Sequence, residues 1–133
     1  MAPAPIIMIH GAFCGGWTFD TFRKPFEAAG HRVLAPDLPG HAPGGQVAGQ
    51  SMSDYAAAIG KLVAEQDAPP VLIGHSMGGL VAQMVADRTP VAGLVLMAPS
   101  SPWGVPGQNT GIRKSIPASI MSRSCPACHA ALL

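Results

Sequence analysis

A pentapeptide of the form G-x-S-x-G, Gly74-His75-Ser76-Met77-Gly78, directly follows a short apolar run at 71–73. A serine at the centre of this motif, on a sharp turn from a strand into a helix, is typical of the nucleophile in acyl transfer. Side chains at 74 and 78 would collide with neighbouring backbone in such a turn, which explains the two glycines. We therefore predict that Ser76 is a catalytic nucleophile, against the alternative of an ordinary glycine-rich turn.

The pair His10-Gly11 ends a second apolar run, 6–9, and is predicted to supply the other part of the site. The backbone N–H groups of Ala12 and Met77 are the candidates for an oxyanion hole, in which each donor contributes about 3–4 kcal/mol to lowering the barrier. Gly11 would let the loop turn close to a substrate. His10 is predicted to have a structural rather than a catalytic role.

We assign no catalytic acid or base in this sequence. His75 adjoins Ser76 but is expected to point away from it, because neighbouring residues of an extended chain face opposite sides. Asp54 fits a helix cap with Ser51, and Asp37 lies in a turn-rich segment. A serine hydroxyl without a base is a poor nucleophile, so a non-catalytic remnant or a binding protein remains the alternative to an enzyme.

Composition excludes several other classes of function. The 133 residues are 48% hydrophobic and only 11% charged, with a net charge of +1 and no basic cluster. Nucleic acid is therefore not an expected partner, and no apolar run is long enough to suggest a membrane span. The first residues lack a basic segment typical of a signal peptide, so we expect a cytoplasmic location. A small-molecule substrate is the expected partner, and no oligomeric state is assigned.

Strand and helix signals alternate along the first hundred residues. Short apolar runs predict strands at 6–10, 32–35, 71–74 and 94–97, and helical patterns fall at 19–29, after the Ser51 cap, and at 77–87. This alternation predicts an α/β fold with a mostly parallel sheet flanked by helices. The run 94–97 predicts a buried strand, which would become an uncovered sheet edge if no further strand followed it.

Three motifs in this order resemble the α/β-hydrolase superfamily: His10-Gly11-Ala12-Phe13, Asp37-Leu38-Pro39-Gly40-His41 and Gly74-His75-Ser76-Met77-Gly78-Gly79. The resemblance covers roughly residues 5–105 and is closest to small esterases and hydroxynitrile lyases. It implies a serine hydrolase acting on a small ester or amide, with a lyase as the alternative. It also implies that His10 braces the oxyanion loop, and that the family's catalytic acid and histidine follow later strands.

The resemblance also suggests how the chain is divided. We expect residues 1–111 to be the N-terminal part of an incomplete α/β-hydrolase domain and 112–133 to be an irregular tail, from truncation or a shifted reading frame. The tail contains Cys125-Pro126-Ala127-Cys128-His129, the C-x-x-C-H pattern of c-type haem attachment. A structural zinc site usually has four ligands, and haem attachment needs export. We therefore predict no metal and no cofactor.

Overall fold

The computed structural model describes residues 2–101, which form a four-stranded parallel sheet. The strands are β1 (Ile6–Ile9), β2 (Val33–Leu34), β3 (Val71–His75) and β4 (Gly93–Met97), in the spatial order β2-β1-β3-β4. Strand β1 pairs with β3 from Ile6–Val71 to Ile9–Gly74, so the carboxyl ends of these two strands lie side by side. The predicted α/β fold with a parallel sheet is confirmed, although β2 is shorter than the predicted strand at 32–35.

The helices that connect the strands are α1 (Lys24–Ala28), α2 (Met52–Ala64) and α3 (Met77–Ala86), with a 3-10 helix at Gly16–Phe19. The helical pattern at 19–29 is divided in the structure, because the 3-10 helix ends at Phe19 and α1 begins only at Lys24. Pro25 lies in its first turn, where a missing N–H group breaks no helical hydrogen bond. Gly30 follows α1 with φ +92°, the left-handed conformation typical of a helix stop. Among residues 2–101, no helix is long and apolar enough to cross a membrane.

Both faces of β1 are buried. Ile7 and Ile9 face one side of the sheet and Ile6 and Met8 the other, and none of the four is more than 3% exposed. The first face packs against apolar side chains of α2 and α3, namely Tyr55, Ile59, Val63, Val81 and Val85. Phe19 packs in the cluster on the second face. Burial on two faces explains why β1 is a continuous apolar run rather than an alternating one.

The prediction that the strand at 94–97 is buried is wrong for β4. Strand β4 lies at the edge of the described sheet, and Leu94, Val95 and Leu96 are 39%, 46% and 38% exposed. The run 94–97 predicted a buried strand because continuous apolar runs usually need cover on both faces. Within residues 2–101 no strand pairs with the outer edge of β4.

The N-terminal cap of α2 leads to a first testable prediction. The Asp54 N–H donates to Ser51 Oγ at 3.1 Å, and the Ser51 N–H donates to Asp54 Oδ2 at 2.8 Å, which completes the predicted capping box. We expect Ser51→Ala to lower the free energy of unfolding by about 1 kcal/mol, because it leaves a helix N–H group without its side-chain partner. Urea unfolding midpoints measure this effect. Ser53→Ala, in the same helix and exposed, is the control, and equal midpoints for the two variants would contradict the prediction.

Candidate active site

The turn from β3 into α3 places Ser76 in a strained backbone conformation. Its φ of +53° and ψ of −119° lie in a region that residues with a side chain rarely adopt. Such a conformation costs about 1–3 kcal/mol and persists only where the surrounding structure enforces it. Ser76 stands between the last residue of β3 and the first residue of α3, half-buried at the carboxyl edge of the sheet.

The glycines of the pentapeptide permit this turn, as predicted. A Cβ atom on Gly74 would lie 2.4 Å from the carbonyl oxygen of Gly78. A Cβ atom on Gly78 would lie 2.1 Å from the carbonyl oxygen of Ile9 and 2.5 Å from that of His10. These separations are shorter than any van der Waals contact. The absence of side chains at both positions therefore lets α3 start directly against the end of β1.

The loop after β1 lies beside Ser76. A Cβ atom on Gly11 would be 3.3 Å from Ser76 Cβ, so the two turns are in close contact. Among the hydrogen bonds of residues 2–101, the N–H group of Ala12 donates to no backbone acceptor. The N–H group of Met77 is in the first turn of α3 and has no acceptor within the helix. Among the described residues, neither predicted oxyanion donor therefore has a backbone acceptor.

His10 connects the loop after β1 to the loop after β2. The Leu38 N–H donates to His10 Nε2 at 2.9 Å, so Nε2 is unprotonated, and Nδ1–H donates to the Gly11 carbonyl at 2.7 Å. The ring is fully buried. Burial lowers the pKa of His10, and the positive potential of nearby His41 lowers it further, whereas the hydrogen bond to Gly11 and the charge of Asp37 raise it. His10 is therefore a neutral brace behind the loop.

The other end of the same loop is also fixed. The Gly16 N–H donates to Asp37 Oδ1 at 2.8 Å, and a Cβ atom on Gly16 would lie 1.9 Å from the Ala35 carbonyl oxygen. The carboxylate of Asp37 thus joins two loops at the carboxyl edge of the sheet. This position agrees with the turn segment in which the sequence placed Asp37.

No acid or base within residues 2–101 is hydrogen-bonded to the Ser76 hydroxyl. The neighbouring His75 is exposed, and its Nδ1 lies 3.5 Å from the position that a Cβ on Gly11 would take. The described residues contain no group of three or more His, Cys, Asp or Glu side chains that could hold a metal ion. The motif at 125–129 lies outside the described part of the chain.

Two residues that were not predicted from the sequence hold the backbone of Ser76 through hydrogen bonds. The Ser76 N–H donates to the Met97 carbonyl at 3.0 Å, and the Ser100 N–H donates to the Ser76 carbonyl at 2.9 Å. Met97 is the last residue of β4 and pairs with His75 at the end of β3, so the chain that continues to Ser100 also lies beside Ser76. The available signal was Pro99, which ends an apolar run and so places the next turn at the same edge of the sheet as Ser76.

Comparison with known proteins shows the relatives of this chain. Residues 6–130 match the model of the alpha/beta hydrolase family. The chain is 38% identical over 101 residues to a pyrethroid hydrolase of Sphingobium wenxiniae, an alignment that covers 73% of this chain and 36% of the relative. It is 34% identical over 93 residues to Methylesterase 3 of Arabidopsis thaliana, covering 64% and 34%. The chain thus spans about a third of the length of these relatives.

Solved structures agree with this family. The crystal structure of a pyrethroid hydrolase from Sphingobium faniae JZ-2 matches with a TM-score of 0.63 at 34% identity, over 80% of this chain and 47% of that one. An extracellular alpha/beta-hydrolase from a Paenibacillus species matches with a TM-score of 0.67 at 23% identity, which shows the fold alone. From the family match and the parallel sheet, we conclude that this chain belongs to the alpha/beta hydrolase family.

Proposed function

We propose that this chain carries the nucleophile and the oxyanion hole of a serine esterase that hydrolyses a small carboxylic ester. The observation that carries the proposal is the strained backbone of Ser76, at φ +53°, beside the loop of Gly11 and Ala12. Strain of this kind clusters at functional sites. The relatives named as a pyrethroid hydrolase and a methylesterase support an ester as the class of substrate.

In the proposed reaction, Ser76 Oγ attacks the carbonyl carbon of the ester and gives its proton to a base. The negative charge that develops on the carbonyl oxygen accepts hydrogen bonds from the N–H groups of Ala12 and Met77, each contributing about 3 kcal/mol. The bond to the alcohol oxygen then breaks, and the alcohol leaves with the proton. Water hydrolyses the acyl group from Ser76 in the second half of the reaction.

Within residues 2–101, no side chain is placed to accept the proton of the Ser76 hydroxyl. The resemblance to the α/β-hydrolases implies a histidine and a carboxylate that follow later strands, so we place both outside the described residues. A nucleophile and oxyanion hole without their base still retain part of the catalysis. Free imidazole in solution can act as the proton acceptor, which makes the proposal testable on this chain as it exists.

The test is acetylation of the chain by p-nitrophenyl acetate with and without imidazole, with the modified residue mapped by peptide mass spectrometry. We expect acetyl-Ser76 in the wild-type chain, formed faster when imidazole is added, because the imidazole accepts the hydroxyl proton. Ser76→Ala should abolish the part of the imidazole-dependent reaction that exceeds ester hydrolysis by imidazole itself. Its rate also gives the background of ester hydrolysis by imidazole alone.

Ser53→Ala is the matched control, since Ser53 is an exposed serine in α2 outside the proposed site. It should react as the wild type does. Equal rates for the wild-type chain and Ser76→Ala, or acetyl groups spread over several exposed serines, would show that Ser76 is not an activated nucleophile.

A further inference from the structure

Three residues with side chains have a positive φ within residues 2–101, and all three follow strands at the same edge of the sheet. They are Phe13 at φ +56°, Ser76 at +53° and Ala98 at +44°. Phe13 lies in the loop after β1, Ser76 after β3 and Ala98 directly after β4. Because each conformation is costly by itself, neighbouring structure must hold it, and the surroundings of Ser76 show how.

The segment Met97–Ser100 is bonded to both sides of the Ser76 peptide backbone. The Met97 carbonyl accepts the Ser76 N–H at 3.0 Å, and the Ser100 N–H donates to the Ser76 carbonyl at 2.9 Å. The Ser76 carbonyl also accepts the N–H of Gly79 at 2.9 Å. The strained residue is therefore fixed from a second strand as well as from its own helix.

Pro99 sets the shape of this segment and packs on α3. A Cβ atom on Gly79 would lie 2.7 Å from Pro99 Cβ and 3.0 Å from Pro99 Cα, so the proline ring occupies the space that a side chain at 79 would fill. The ring fixes the φ of Pro99. Ala98 before it has φ +44°, which is not the extended conformation that a following proline favours, so this turn holds Ala98 in a strained conformation as well. The fixed φ of Pro99 thus limits the conformations of the turn that brings the Ser100 N–H to the Ser76 carbonyl.

We propose that the turn Ala98-Pro99-Ser100 positions the nucleophile, by clamping the strained backbone of Ser76 through Ser100 and by seating Pro99 against Gly79. The effect of this turn on catalysis rests on the proposed function, whereas its hydrogen bonds to Ser76 and its contact with Gly79 do not. Pro99 and Ser100 act through Ser76, so they are positioning residues.

The test compares Pro99→Gly with Pro43→Gly. Both remove one proline ring, with similar effects on the unfolded chain, but Pro43 lies in the exposed loop before α2. We expect Pro99→Gly to speed amide hydrogen exchange at Ser76 and Ser100 about tenfold. We expect it to slow imidazole-dependent acetylation of Ser76 about tenfold or more, because small misplacements of a reacting group are costly. Pro43→Gly should change neither. If Pro99→Gly fails to fold, Pro99→Ala, which keeps the Cβ contact, takes its place in the same measurements.

A second pair of variants tests the contact with Gly79. Gly79→Ala should speed exchange at Ser76 in the same way, because its methyl group displaces Pro99. The double variant Gly79→Ala/Pro99→Gly should show less than the product of the two single effects, since the added methyl then meets no proline ring. Exchange rates at Ser76 and Ser100 that match those of Pro43→Gly, or effects that simply multiply, would overturn the clamp. A wild-type chain that is never acetylated at Ser76 would refute the proposed function and leave the exchange results to decide on the clamp.

Discussion

Gly78→Ala is expected to lower the free energy of unfolding by about 3 kcal/mol or more, a large loss for a single added methyl group. The new Cβ would lie 2.1 Å from the Ile9 carbonyl oxygen and 2.5 Å from that of His10. Both atoms belong to backbone at the end of the central strand β1, which has no flexible end that can move aside. Alanine is a better helix former than glycine by about 1 kcal/mol, and the collision outweighs this gain.

The matched control for Gly78→Ala is Gly60→Ala. Gly60 lies inside α2, and a Cβ atom there would meet no atom within 4 Å. Only helix propensity and the entropy of the unfolded chain then change, so Gly60→Ala should raise the stability by up to about 1 kcal/mol. Urea unfolding followed by circular dichroism measures both variants. A midpoint for Gly78→Ala at or above that of the wild type would show that β1 and α3 do not approach as closely as the structure places them.

The parts of the fold that sequence predicted depend on short stretches of chain. The apolar runs that form β1 and β3 are buried on both faces. The turn at Ser76 requires residues without side chains at 74 and 78, and the sequence has glycine at both positions. The Ser51 cap is similarly local, because its partner is only three residues away. In each case the residues that form the sequence pattern are the same residues that make the structural contact, so the pattern alone predicts the structure.

The parts that sequence did not predict depend on what packs nearby. The run 94–97 is apolar enough for a buried strand, but exposure is decided by neighbouring strands rather than by its own residues. The clamp on Ser76 likewise joins residues more than twenty positions apart, through the register of β4 on β3. Neither feature leaves a periodic signal, and Pro99 alone indicated only that a strand ends.

The stability of the protein is expected to fall as the pH drops below about 6.5, and His10 is expected to be a main cause. Burial holds the pKa of His10 below its ordinary value, so the folded chain binds this proton less readily than the unfolded chain does. Stability from the neutral ring is therefore complete above the unfolded pKa, near 6.5, and is lost as the pH falls toward the lowered value. A proton on Nε2 would also face the Leu38 N–H that now donates to it at 2.9 Å.

Two substitutions distinguish the stability that comes from the hydrogen bonds of His10 from the pH dependence that comes from its protonation. His10→Ala leaves the buried Leu38 N–H and Gly11 carbonyl without this partner, and should cost about 3 kcal/mol at neutral pH. His10→Gln has no group that titrates in this range, so its unfolding free energy should lose the decline between about pH 6.5 and 5 that the wild type shows. His31→Gln, which removes a ring that is hydrogen-bonded among the described residues only to the Ala4 carbonyl, should keep that decline. If His10→Gln kept the wild-type decline, the acid sensitivity would belong to other groups, and the buried ring of His10 would hold the loop without being sensitive to protonation.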